Sequence, residues 1–312
     1  MEILVTGANG FIGRALCAEA TRRGIAVIGT VRVKESAVAG VRNKIVSCID
    51  GGTDWGEALV ESDVVVHLAS RVHVVCESSG DPLHEFRKVN VDGSVNLARS
   101  AARAGVRRFV FVSSIGVNGD ESGRKPFTAQ DPVAPHSPYA VSKYEAELAL
   151  REVAADTGME LVVIRPPLVY GPNAPGNFGS LVRWLRRGIP LPLGAIDNQR
   201  SLVCLDNLVD LILMCVTHPA AAGHTFLVSD GEDVSTTELL HRVGQAIGRS
   251  ARLIPIPASW LRAMASLAGK QDVARRLCGT LQVDIEETRR QLGWQPPFTM
   301  EHGLRKVAEG QE

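Results

Sequence analysis

Through the first half of the chain, short apolar runs alternate with longer stretches of helical period. The runs are Ile3 to Thr6, Ala26 to Val31, Lys44 to Ile49, Val64 to Ala69, Arg108 to Ser113 and Leu161 to Arg165. Their Val, Ile and Leu follow one another without the polar alternation of a half-exposed strand. This predicts strands covered on both faces, hence an α/β fold with a doubly wound parallel sheet. Between them, 92–104 and 139–157 have helix-length patterns, the second rich in Ala, Glu, Leu and Lys. Gly105 and Gly158 stand where those helices should stop.

After Gly171-Pro172 the texture changes to Pro- and Gly-rich loops with shorter elements, including Pro190 to Gly194 and Ile254 to Pro257. The expected division is a first domain over 1–170 built on the parallel sheet, with 200–228 returning to it, and a smaller region over 171–312. No internal repeat and no low-complexity segment interrupts this pattern.

The first apolar run leads into Thr6-Gly7-Ala8-Asn9-Gly10-Phe11-Ile12-Gly13. A strand followed by glycines at this spacing, and then by a helix carrying Leu16 and Ala20, predicts a Rossmann-type turn. Gly7 permits the turn, Gly10 lets the backbone approach a pyrophosphate, and Gly13 lets the helix close on the sheet. The phosphates would lie on the helix N-terminus.

Composition narrows the classes. The 312 residues hold 34 basic and 34 acidic side chains, which argues against general attraction to nucleic acid or an anionic membrane but allows a local phosphate pocket. Cys17, Cys48, Cys76, Cys204, Cys215 and Cys278 form no C-x-x-C pair and sit mostly in apolar stretches. They predict reduced core thiols and a cytoplasmic protein, with no metal site. The N-terminus carries no signal pattern, and Asp206 and Asp210 interrupt the most apolar stretch, Leu202 to Val216, so no membrane insertion is expected.

A second constellation is Tyr139-Ala-Val-Ser-Lys143 at the start of a predicted helix. Residues four apart share a helical face, so phenol and ammonium can point into one cleft. A tyrosine of ordinary pKa about 10 transfers protons poorly near neutrality, and a neighbouring Lys⁺ and an oxidised nicotinamide favour its phenolate. Ser114, at the end of a strand, would hydrogen-bond the same substrate oxygen, where a parallel sheet opens its ligand crevice.

These residues, with His67-Leu68-Ala69, Val89-Asn90-Val91-Asp92-Gly93 and Arg165-Pro166-Pro167-Leu168-Val169-Tyr170-Gly171-Pro172, resemble the extended short-chain dehydrogenase/reductase superfamily, in its nucleotide-sugar epimerase/dehydratase/reductase branch. The resemblance covers nearly the whole chain. It implies that Ser114, Tyr139 and Lys143 are catalytic, that Lys143 also holds the nicotinamide ribose, and that Asn90 holds the active-site helix and cofactor. Gly7, Gly10, Phe11, Ile12, Gly13, Leu68 and Ala69 would line the cofactor, with the backbone around Pro167 facing the nicotinamide. It further implies that Asn177, the Leu191 to Leu193 loop, Arg200, and Arg275 or Arg276 hold a UDP-sugar, Arg276 being the assignment carried forward. A planar guanidinium suits a diphosphate. A homodimer through the helices at 92–104 and 139–157 is also implied.

Departures from the family pattern narrow the chemistry. Sugar 4,6-dehydratases carry an Asp-Glu pair after the catalytic hydroxyl residue, whereas Ile115-Gly116 stands here. Elimination of water needs such a proton-transfer pair. Asn118 replaces the tyrosine usual in the V-Y-G loop of ordinary 4-epimerases.

Phe86 to Asn90, Ser113 to Gly119, Leu191 to Ile196, Arg200 to Val203, Phe226 to Gly231 and Leu277 to Gly279 resemble the reductases that make UDP-N-acetylquinovosamine for bacterial surface polysaccharide such as O-antigen. Such chains commonly carry the general label UDP-glucose 4-epimerase, so NAD-dependent UDP-hexose 4-epimerisation is the alternative. A non-catalytic dinucleotide-sensing subunit is the alternative of another class.

For the cofactor, the second strand ends without the carboxylate that would bond both ribose hydroxyls of NAD. Arg32 would instead pair with the 2′-phosphate of NADPH, so NADPH is favoured over NADH. Asp50, in competition with Asp54, is the candidate adenine contact. His67 reads as a packed, hydrogen-bonded histidine near the cofactor, and His73 likewise as structural. Trp184 with Leu181, Val182 and Leu185 reads as the apolar side of a helix ending at Arg186-Arg187.

Overall fold

The computed structural model describes residues 1–72 and 81–310, so His73 and Cys76 lie outside the described residues. Seven strands form one sheet in the order β3-β2-β1-β4-β5-β6-β9: β1 (Glu2–Thr6), β2 (Ala26–Val31), β3 (Arg42–Ile45), β4 (Val64–His67), β5 (Arg108–Val112), β6 (Glu160–Arg165) and β9 (Thr225–Leu227). Every pairing in it is parallel. The chain winds outward from β1 to β3 and then crosses to β4. Strand order therefore reverses between β1 and β4, which opens a crevice at their carboxyl ends.

One face of the sheet is covered by α1 (Phe11–Arg22) and α7 (Leu205–Thr217), whose Leu16, Leu208 and Ile212 share a core with Ile3, Val5 and Val110. The other face carries α2 (Gly56–Leu59), α3 (Pro82–Arg87), α4 (Ser94–Arg103) and α5 (Pro138–Thr157), with Leu97, Ala146 and Leu150 on Leu4, Val65 and Phe109. α5 begins as its sequence dictates. Ser137 caps it by accepting from the Ala140 amide at 3.1 Å, Pro138 fits the first turn, and Gly158 ends it at φ +74°.

A second lobe has its own core. A small sheet orders β10 (Asp233–Val234), β8 (Arg200–Cys204) and β7 (Leu168–Tyr170). Around it pack α6 (Gly176–Arg186), α8 (Thr236–Ala246), α9 (Ala258–Leu267), α10 (Gln271–Cys278) and α12 (Met300–Glu309), through residues such as Phe178, Leu240, Leu261 and Leu304. The chain returns to the large sheet once through 205–227. It returns again through Leu281, Val283, Ile285, α11 (Glu286–Leu292) and Trp294, which join the first core. A division at residue 171 does not anticipate that second return, because a run this short carries no periodicity that names its partner.

Four expectations need correction. The third strand ends at Ile45, not Ile49, since β3 is an edge strand and only the Val46 amide continues the ladder, to the Val31 carbonyl at 2.9 Å. Ile49 then folds over Gly93, where a Cβ would stand 2.7 Å from its Cγ2. The helix expected from Asp92 is the last part of a longer one that starts at Pro82, capped by Asp81 onto the His84 amide, and passes through a π-helical turn at Lys88–Gly93. Finally, Cys17, Cys204, Cys215 and Cys278 are buried thiols, but Cys48 is exposed. Trp184 likewise lies on the outer side of α6 at 45% exposure, while Val182 and Leu185 face the core.

Among the described residues no helix is long and apolar enough to cross a membrane, and no cluster of His, Cys, Asp and Glu could hold a metal ion.

Candidate active site

Between Thr6 and Phe11 the chain must reverse from β1 into α1. Gly7 does so at φ +67°, and a Cβ there would stand 3.0 Å from the Ala69 backbone nitrogen. Gly13 sits under the turn, where a Cβ would fall 2.1 Å from the Gly7 carbonyl oxygen. Gly10 caps α1 with no side chain, and no acidic residue occupies the first turn. The first amides of α1 thus face the crevice without a competing carboxylate, a setting that fits a dinucleotide diphosphate. Phe11 packs against both lobes' cores, and Ile12 and Leu68 against the first.

His67 is fully enclosed, with Nδ1 2.7 Å from the Thr6 hydroxyl and Nε2 2.9 Å from that of Ser94. Burial, aided by the nearby Lys143 charge, pushes its pKa down to about 3, so the ring is neutral and structural. The Thr6 hydroxyl also accepts from the Ala69 amide at 3.2 Å, which fixes the backbone over Gly7.

Asn90, on the π-helical turn, is 1% exposed and uses both ends of its amide. Its oxygen accepts from the Arg71 amide at 2.8 Å and the Ser70 hydroxyl at 3.0 Å. Its nitrogen donates to the Arg71 carbonyl at 3.1 Å and the Ser142 hydroxyl at 3.0 Å. One side chain therefore joins the loop after β4 to α5. Irregular helical turns of this kind recur at functional sites.

Ser114 follows β5 and caps a single 3₁₀ turn, its Oγ accepting from the Gly116 amide at 3.1 Å. That turn rests on the start of α5: a Cβ on Gly116 would lie 3.4 Å from Ala140 Cβ. Tyr139 and Lys143 are one helical turn apart on α5. The phenol of Tyr139 meets the ring of Phe86 edge-on at 6.1 Å, and burial raises its pKa against an opposing hydrogen bond from Ser70.

Lys143 is 2% exposed, with its ammonium 3.9 Å above the centre of the Phe111 ring. Burial pushes its pKa down to about 7, opposed by the Glu147 charge. The ammonium finds no hydrogen-bond acceptor among the described residues.

Behind Lys143 lies a buried ion pair that the sequence reading missed. Arg165 donates to Glu147 through Nε at 2.9 Å and Nη2 at 2.5 Å, and through Nη1 to the Asn118 side-chain oxygen at 3.0 Å. Its one sequence signal was position, since Glu147 continues the Tyr139, Lys143 face by another turn. Ser70 and Ser142 were missed as well, because their roles depend on Asn90.

The remaining candidates divide. Arg32 is exposed beyond the end of β2, with no acidic or hydrogen-bonding partner among the described residues. Asp50 accepts from the Gly52 amide at 2.9 Å and the Thr53 hydroxyl at 3.3 Å, and Asp54 from the Gly56 amide at 2.9 Å. Each carboxylate shapes its own loop, so neither is singled out for adenine. Pro167 lies between β6 and β7, beside the Pro166 carbonyl that accepts from the Ile115 amide at 3.0 Å.

In the second lobe, Asn177 is exposed on the first turn of α6. Arg200 donates to the Gly279 carbonyl at 3.1 Å, and burial lowers its pKa. Leu191 and Leu193, expected at the substrate, are 3% and 5% exposed in the second core, so their side chains serve packing. Arg275 pairs with Asp120 at 3.4 Å and Asp272 at 3.7 Å, whereas the exposed Arg276 has no carboxylate partner among the described residues.

Comparison with known proteins agrees with this fold. The profile of the NAD dependent epimerase/dehydratase family matches residues 3–229. A protein of Vibrio cholerae named UDP-glucose 4-epimerase is 44% identical over 316 residues, covering 99% of this chain and 94% of its own. Among solved structures, UDP-glucose 4-epimerase of Thermotoga maritima with UDP-glucose superposes with a TM-score of 0.79 at 22% identity, over 99% of this chain and 98% of that one. The Bordetella bronchiseptica enzyme WbmG with NAD and UDP does so with 0.77 at 20% identity, over 99% and 93%. With its glycine cradle and its Ser114, Tyr139 and Lys143 constellation, this chain belongs to the NAD-dependent epimerase/dehydratase family.

Proposed function

We propose that the protein reduces the C4 ketone of a UDP-2-acetamido-2,6-dideoxy-4-hexulose to a UDP-6-deoxy-N-acetylhexosamine such as UDP-N-acetylquinovosamine. The observation that carries the reading is Tyr139 and Lys143 at the start of α5, resting on a turn in which Ser114 is followed by Ile115-Gly116. Hydride chemistry at C4 needs the hydroxyls and the ammonium. Dehydration needs two further carboxylates that this turn does not carry.

Ser114 holds O4 of the sugar, and Tyr139 donates its proton to O4 as C4 accepts hydride. A reduced nicotinamide bound at the glycine cradle would supply that hydride. Lys143 holds the nicotinamide ribose, and its charge offsets the phenolate left on Tyr139. Gly7, Gly10 and Gly13 leave room for the diphosphate, and the free guanidinium of Arg32 favours NADPH over NADH. Asn177, Arg200 and Arg276 are the proposed UDP-sugar contacts, with Arg276 favoured over Arg275 because Arg275 already faces two carboxylates. A homodimer through α4 and α5 completes the proposal.

A second reading, 4-epimerisation of a UDP-hexose, is favoured by the name of the Vibrio cholerae relative. Both reactions move hydride at C4, but an epimerase regenerates its cofactor in every turnover and a reductase must exchange it. A purely dinucleotide-sensing role fits less well, since the proton donor and its lysine are both retained.

The deciding experiment supplies the 4-keto sugar nucleotide with reduced cofactor. The reductase consumes one cofactor per product and makes little 4-epimer from UDP-glucose or UDP-N-acetylglucosamine. Tightly held NAD, with interconversion of UDP-glucose and UDP-galactose without added reductant, would establish the epimerase instead.

A further inference from the structure

Two cations are enclosed along the inner side of α5, and only one of them is paired. Arg165 takes both oxygens of Glu147, the carboxylate one turn beyond Lys143. The Lys143 ammonium instead stands 3.9 Å above the centre of the Phe111 ring. Both side chains are shut away from solvent, Lys143 at 2% exposure and Phe111 at 0%. A cation on an aromatic face is attracted by the ring quadrupole, and most strongly where water is excluded.

Phe111 is itself held in place. It is the Cα partner of His67 on the neighbouring strand, and the two rings stack at 5.8 Å and 24°. The hydrogen bonds around His67 run in one direction. Ser94 donates its hydroxyl proton to the Asn90 carbonyl at 2.7 Å, so its oxygen accepts from His67 Nε2 at 2.9 Å. Nδ1 is then an acceptor and takes the Thr6 hydroxyl proton at 2.7 Å, while the Thr6 oxygen accepts from the Ala69 amide. Each proton is used once, which fixes His67 as a neutral ring with its proton on Nε2. A charged His67 would compete with Lys143 for the same aromatic stack, and this chain of bonds keeps that second cation away.

We propose that Phe111 is a positioning residue for Lys143, its ring face seating the ammonium and keeping it charged on the helix that carries Tyr139. The inference rests on the roles proposed above for Tyr139 and Lys143. The ionisable groups that bear on the ammonium are Glu147 and Tyr139 on α5, His67 on β4 and, through Glu147, Arg165 on β6. Burial pushes the Lys143 pKa down to about 7 and the Glu147 charge opposes it. The ring acts in the same sense as Glu147, since it attracts the charged form alone. Without that attraction Lys143 gives up its proton more readily, and with it the charge that offsets the phenolate of Tyr139.

The test replaces Phe111 in the full-length protein with mono-, di- and trifluorinated phenylalanine, which keep the shape of the ring while draining negative charge from its face. Lysines labelled with carbon-13 at Cε, assigned through Lys143→Met, report the Lys143 pKa by nuclear magnetic resonance in the cofactor-free protein. The expected result is a stepwise fall reaching about one pKa unit with three fluorines, at unchanged melting temperature. Phe111→Leu should lower the pKa by a similar amount and Phe111→Tyr should retain it, and the fluorinated series carries the test if Phe111→Leu disturbs folding. A Lys143 pKa that stays constant across the series overturns the proposal and leaves Phe111 as packing. In protein that reduces the 4-keto sugar nucleotide, the alkaline limb of kcat should move down with the pKa, and a limb that stays fixed also overturns it. A stepwise fall in protein that does not reduce that substrate supports the seat and defeats the reading of the reaction instead.

Discussion

The side-chain oxygen of Asn118 accepts a hydrogen bond from Arg165 Nη1 at 3.0 Å, while its nitrogen donates to the Thr128 carbonyl at 2.9 Å. Asn118 closes the 3₁₀ turn that Ser114 opens, and Arg165 is clamped to Glu147 on α5. The turn with the substrate hydroxyl is thereby tied to the helix with Tyr139 and Lys143. Replacing Asn118 with Leu leaves a buried guanidinium N–H without its acceptor, at a cost of about 1–3 kcal/mol. Denaturant melts should show that loss, and an unchanged midpoint would mean that water replaces the amide.

Tyr139→Phe removes only the proton donor. Turnover on the 4-keto sugar nucleotide should fall by about 10²–10⁴, with little change in reduced-cofactor affinity by fluorescence titration. Near-normal turnover would assign the proton transfer to another group.

Lys143 gives a pH signature. Its folded pKa of about 7 lies below its ordinary value of 10.5, so the unfolded chain binds the proton more tightly. Burying the charge therefore destabilises the cofactor-free protein fully below pH 7, and the penalty disappears as pH rises toward 10.5. Lys143→Met should raise the melting temperature most at pH 6 and progressively less above neutrality, while abolishing turnover. A stabilisation independent of pH would show that the ammonium is not the source.

Arg32→Asp replaces the proposed 2′-phosphate partner with a like charge. The ratio of kcat/KM for NADPH over NADH should fall by ten- to a hundredfold, corresponding to about 1–3 kcal/mol. A constant ratio would leave Arg32 as an ordinary surface residue.

Leu148 on α5 is 45% exposed, a suitable position from which to test the proposed dimer. Light scattering should give twice the chain mass at micromolar concentration, and Leu148→Glu should shift the population to monomer. A wild-type monomer under those conditions removes the dimer from the proposal.

The sequence by itself determined the parts of this protein whose physics is local. Continuous apolar runs identified five strands of the parallel sheet, because a strand buried on both faces has no room for polar alternation, whereas the edge strand β3 is Arg-Asn-Lys-Ile and partly exposed. The glycines of the first turn were legible because Gly7 needs a left-handed backbone and Gly13 a helix with no Cβ beneath the Gly7 carbonyl. Tyr139 and Lys143 were legible because one helical turn separates them.

Tertiary structure decided whatever depends on a partner distant in the chain. It made Asn90 a joint between Ser70, Arg71 and Ser142, and it brought Glu147, Arg165 and Asn118 together across separations that no window of residues spans. It placed Leu191 and Leu193 in a core, since a leucine's spacing does not say which side of a loop is covered. It also set Arg275 against Asp120 and Asp272 and left its neighbour Arg276 with no carboxylate among the described residues. Adjacent residues of a helix point to different sides, and only the chain packed nearby decides which side meets a carboxylate.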